Sequence, residues 1–124
     1  MKKLIYTLFI LVGFSSFGFS QETNNTTRTN GSIELVSSKT SGEFVFHLPV
    51  GVTAEDVKKN SAYYTHYFTV SFDGNSHEAT IHMVENTTKN RYVIARFLTA
   101  CGMKYVQVDG KALELHDFVN SYLK

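Results

Sequence analysis

The sequence predicts an α+β domain of ferredoxin-like type: a βαββαβ sandwich with a four-stranded antiparallel sheet and two helices on one face. Three observations predict it. Apolar and polar residues alternate in short stretches, the period of a half-buried strand. Longer stretches carry apolar residues at helical spacing. Asp73-Gly74 and Asp109-Gly110 are dipeptides that suit tight hairpin turns.

The elements follow in order. Phe44, Phe46 and Leu48 alternate with Val45 and His47, and Pro49 closes that strand because it cannot donate to a ladder. Thr53 and Asp56 have the spacing of a capping box and open a helix from Ala54 to about Tyr64, whose apolar stripe is thin. Phe68, Val70 and Phe72 mark the second strand, which turns at Asp73-Gly74. The return strand, from about His77 to Val84, places Ala79, Ile81 and Met83 on one face. Asn86 or Thr87 caps a second helix over Lys89 to Cys101, with Val93, Ile94, Phe97, Leu98 and Cys101 as its stripe and Gly102 as its left-handed stop. Tyr105 to Val108 is the fourth strand. Ala112 to Leu115 returns as a short edge strand, and a helix from Asp117 to Leu123 ends the chain. The expected strand order is fourth, first, third, second.

The N-terminal part has a different character. Met1-Lys2-Lys3 is basic, Leu4 to Gly13 is apolar, and Gly18 and Ser20 are small residues ahead of Gln21. This is the pattern of an export signal over residues 1–20. The apolar run is shorter than the ~20 residues a spanning helix needs, so no integral membrane segment is expected after cleavage. The expected location is periplasmic or secreted. Residues 21–32 contain no apolar side chain, and residues 21–41 read as a flexible spacer. Within them, Ile33 to Val36 suit a short strand or a turn of helix. The folded domain is expected over 42–124.

The layout from Glu43 to Val108, behind an export signal, resembles the heavy-metal-associated domain. The stretch Arg96-Phe97-Leu98-Thr99-Ala100-Cys101-Gly102-Met103 is similar to the end of that family's second helix, and the whole looks like a small exported protein of Bacteroidota. The resemblance implies the ferredoxin-like fold. It implies no metal site, because the loop Leu48-Pro49-Val50-Gly51-Val52-Thr53-Ala54-Glu55 lacks the family's Cys-x-x-Cys pair.

Charge and cysteine content narrow the function. Without Lys2 and Lys3 the chain has ten basic and eleven acidic residues, which is not the footprint of a nucleic-acid binder. Cys101 is alone, so no intramolecular disulfide forms, and its apolar surroundings suit a small buried side chain. No nucleophile elbow, zinc-protease helix or phosphate loop is present, so catalytic residues and cofactors are not expected. The outward face of the sheet would show Val45, His47, Thr80, His82, Tyr105 and Gln107, with Tyr67 at one edge. That face is the candidate surface for a partner protein or a cell-envelope component. The alternative is a periplasmic metal-handling protein using His and Met in place of the missing Cys pair, with His47 and His82 as its candidates, two residues that strand pairing is expected to hold apart, with His47 closer to Glu78.

Overall fold

The computed structural model describes residues 24–124, so the expected leader lies outside the described residues. Six strands form one mixed sheet: β1 (Thr26–Arg28), β2 (Glu43–His47), β3 (Phe68–Asp73), β4 (Glu78–Met83), β5 (Tyr105–Val108) and β6 (Lys111–Glu114). Their spatial order is β3-β4-β2-β1-β5-β6. The helices are α1 (Ser32–Ser41), α2 (Ala54–Ser61), α3 (Thr88–Arg91), α4 (Val93–Ala100) and α5 (Leu115–Phe118). The architecture is α+β, and no helix of the described residues is long and apolar enough to cross a membrane.

The expected four-stranded sheet is replaced by a larger one. β2 runs antiparallel to β4, and β4 to β3, as the sequence implies. The predicted fourth strand, β5, is kept from β2 by β1, which is antiparallel to β2 and parallel to β5. β6 extends the sheet beyond β5. The described part of the expected spacer is therefore structured, as a central strand and a ten-residue helix. Threonine chemistry explains the difference. Thr27 is completely buried, yet its hydroxyl donates to the His47 carbonyl at 3.0 Å. A buried hydroxyl with a partner avoids most of its desolvation cost. Thr29 donates to the Gln107 carbonyl through both its backbone N–H and its hydroxyl, at 3.0 and 3.1 Å.

Helix α1 is capped from a distance. Its N-cap, Gly31, has no side chain, and Asp109 of the β5–β6 turn replaces one. The Ser32 N–H donates to Asp109 Oδ1 at 3.2 Å, and the Ser32 hydroxyl to Oδ2 at 2.6 Å. A carboxylate here satisfies an unpaired helix N–H and faces the positive end of the helix dipole. Gly31 has φ +113°, and a Cβ there would stand 2.8 Å from Asp109 Oδ1, so the close approach requires glycine. Asp109 and Gly110 take φ 52° and 81°, the pair of positive values that a two-residue hairpin turn needs.

The other turns divide between expectation and correction. Thr53 and Asp56 form the capping box, with both reciprocal bonds at 3.1 Å. Hydrogen bonding to the carboxyl from the Thr53 backbone N–H, and secondarily from the Thr53 side chain, holds Asp56 below its usual pKa. The first helix continues as a tight 3-10 turn over Ala62–Tyr64. The second predicted helix is divided at Tyr92 into α3 and α4, and Thr87 caps it by accepting from the Asn90 N–H. It ends in a left-handed Gly102 at φ +89°, with Gly102 N–H bonded to Thr99 O and Met103 N–H to Leu98 O, the Schellman arrangement. The turn at Asp73-Gly74 is longer than predicted. The Asp73 carbonyl accepts from the His77 N–H at 2.8 Å, its carboxylate accepts from Asn75 N–H at 2.9 Å, and His77 takes the positive φ of 57°.

One face of the sheet carries the core. Phe44, Phe46, Phe68, Ala79, Ile81, Val106 and Val108 are buried there with Val57 of α2 and Val93, Ile94, Phe97 and Leu98 around α4. Val70 and Phe72, on edge strand β3, are only half-buried. After α5 the chain widens into a π turn over Val119–Leu123. Phe118 packs edge-on against Phe46, ring centres 6.0 Å apart. Arg91 fastens this end. It is buried, and its guanidinium donates to Leu123 O at 2.8 Å, Asn86 Oδ1 at 2.8 Å and Thr88 Oγ1 at 3.1 Å.

Candidate functional site

Side chains alternate along each strand, so the face opposite the core is fixed once the core is known. Register then lines residues up across it. One rung reads Asp73, Glu78, His47, Arg28, Gln107, Ala112, each the direct partner of the next. A shorter rung reads Thr26, Tyr105, Glu114. The two rungs meet at an open cleft of about 780 Å³, within the size range of ligand sites. Strands β1 and β5 supply Thr26, Arg28, Tyr105 and Gln107. The β2 end and following loop supply His47, Pro49 and Val50. Asn25, Asn75, His77 and Ala112 stand around the rim.

Of the predicted surface residues, His47, Tyr105 and Gln107 come together in this cleft. Val45 faces a smaller slot between α1 and β2, beside Ser37, Ser38 and Ser41. Thr80 and His82 share the open face but stand further along β4. Tyr67 is elsewhere. It sits in the turn before β3, half-buried, and packs against the rim of the core.

The imidazoles are held by neighbours. His47 Nε2 donates to Asn30 Oδ1 at 2.7 Å, and Nδ1 faces Glu78 at 3.7 Å. His82 Nδ1 faces Glu43 at 3.6 Å. The register pairs His47 with Glu78 and Glu43 with His82, which places the two histidines four positions apart along the ladder, roughly 13 Å. No single metal ion is reached by both. Among the described residues, no group of three His, Cys, Asp or Glu side chains is placed to hold a metal. His47 instead ties the loop before α1 to the end of β2.

Arg28 is the residue that sequence reasoning missed. It is exposed, lies between His47 and Gln107 in the rung, and has no ion-pair partner among the described residues. Its signal was the β-branched run Thr26-Thr27-Arg28-Thr29, which reads as strand despite its polarity.

No family model, curated protein or solved structure matches this chain. The site's chemistry must therefore be taken from its own side chains. The cleft offers one fixed cation, three carboxamides, a phenol and an apolar margin of Leu48, Pro49 and Val50. Nε2 of His47 is occupied by Asn30, and Nδ1 of His77 is buried without a partner. Among the described residues, Ser76 is the cleft's one serine, and no base is bonded to it. Cys101 lies outside the cleft. Burial raises its thiol pKa to about 11, against a smaller opposing effect of the Asn60 amide that donates to Sγ at 3.7 Å.

Proposed function

We propose that this protein is an exported, non-catalytic binding domain. It engages a partner protein or a cell-envelope component through the open face of its sheet, and works in the periplasm or the surrounding medium. The finer reading of the fold belongs with this proposal: a ferredoxin-like βαββαβ unit from β2 to β5, opened by the inserted β1 and lengthened by β6. One observation carries the functional reading. The cleft on the face opposite the core brings His47, Tyr105 and Gln107 together beside an unpaired Arg28. Concave sites with a few convergent polar groups on a rigid frame are the usual form of a binding site. The basic start and short apolar run of residues 1–20 support export.

Site-specific photocrosslinking in the native host tests the proposal. A crosslinker at Ala112, on the cleft margin, is expected to capture one defined species. Tyr105→Ala should abolish that product while leaving the circular dichroism spectrum unchanged. Equal capture from a crosslinker at Lys58, on α2, would place the binding surface elsewhere.

A further inference from the structure

We propose that the cleft seats an extended acidic peptide segment, with one peptide carboxylate held on the Arg28 guanidinium. This inference rests on the binding role of the open face and narrows it to a ligand class.

Charge is the first support. Among the described residues, Arg28 is the only formally charged one in the lining, and no Asp or Glu contributes to it. Of the nearby carboxylates, Glu78 faces His47, Asp73 accepts from the Asn75 N–H and Asp109 accepts two bonds from Ser32, while Glu114, opposite Tyr105, stands outside the lining. A guanidinium presents a planar fork of donors that matches a carboxylate. In this cleft it has no such partner among the described residues.

The neutral groups favour a peptide over a simple anion. Asn25, Asn75 and Gln107 line the cleft, and each carboxamide both donates and accepts. A peptide group has the same dual character. Phosphate oxygens mainly accept and would use only the N–H side of each carboxamide. Val50 is 82% exposed and Tyr105 37% exposed, so the margin can take an apolar side chain beside the acidic one. The lining extends across β2, β1, β5 and β6. Three inter-strand spacings make about 14 Å, the length of about four extended residues.

The test uses the protein as purified from culture and follows backbone amide signals by NMR. The probe is an acetylated, amidated pentapeptide with a central glutamate flanked by valines. The same peptide with central glutamine or lysine, and inorganic phosphate, are the comparisons. The glutamate peptide is expected to shift the signals of Arg28, Tyr105 and Gln107. Changing its glutamate to glutamine, or Arg28→Gln in the protein, should weaken binding about tenfold, as loss of one charge-assisted pair does. Arg28→Lys should recover part of the loss, and added salt should shrink the difference. Equal binding of the three peptides, or no shift with any, overturns the acidic-peptide assignment. Phosphate binding as strong as the peptide's overturns the peptide part. If the peptide fails but Tyr105→Ala still abolishes crosslinking at Ala112, only the ligand class falls. If both fail, the binding role of the face falls with it.

Discussion

Thr27→Ala is the sharpest probe of this architecture, because it separates a central strand from a solvated tail. Two losses add. The hydroxyl bond to His47 O at 3.0 Å disappears, and a net intramolecular hydrogen bond is worth about 1 kcal/mol. The fully buried methyl also goes, at about 0.8 kcal/mol. The expected destabilisation is about 2 kcal/mol, or a fall in Tm of about 10 °C for a domain of this size. Thr27→Val keeps the shape and loses the donor, so it should fall between, near 1 kcal/mol. Urea melts followed by far-UV circular dichroism measure both, with exposed Thr69→Ala as the reference. The reasoning is refuted if Thr27→Ala lies within about 0.5 kcal/mol of the unaltered protein, the range of ordinary surface changes.

Three further outcomes follow from the packing. Arg91→Met should cost about 3 kcal/mol in urea melts, because it strips a charged donor from the buried Leu123 carbonyl and from the part-buried oxygens of Asn86 and Thr88. Arg91→Lys should not restore stability, since an ammonium cannot reproduce the fork. Gly31→Ala should cost about 1–3 kcal/mol through its positive φ and the contact with Asp109, and less in an Asp109→Ala background, where the contact is gone; equal costs in a double-mutant cycle would count against it. Cys101 should alkylate slowly at pH 8 in the folded protein, where its raised pKa of about 11 leaves about one thiol in a thousand ionised. The sign for stability follows from the unfolded chain releasing this proton first. The contribution is intact below pH 9 and lost as pH rises towards 11, so Cys101→Ala should flatten the alkaline limb of the stability profile.

Local chemistry was legible in the sequence. The alternation in Phe44–Phe46 and Phe68–Phe72, the Thr53–Asp56 box, the Gly102 stop and the Asp109-Gly110 turn each depend on residues a few positions apart. β1 was faint in the sequence, because its one signal is a β-branched threonine run with no apolar residue. Its burial relies on Thr27 and Thr29 bonding to carbonyls of β2 and β5, partners far away in the chain. Helix α1 was hidden for a related reason. Leu35 is its one buried apolar residue, and its cap arrives from Asp109. The open face followed from strand alternation, so six of the seven predicted surface positions lie on it. Arg28 was lost with β1, and Tyr67 was misplaced because the chain turns just before β3.

The inserted strand also dictates when the fold can be completed. Thr26 meets Tyr105 across a chain separation of about 80 residues, the kind of distant pairing that slows folding. A hairpin of β3 and β4 can close as soon as its own turn forms, and β2 and β1 can add to it, yet the far flank of β1 stays unpaired until β5 joins. A polypeptide wired this way keeps β1 paired on one side only until the ladder to β5 closes.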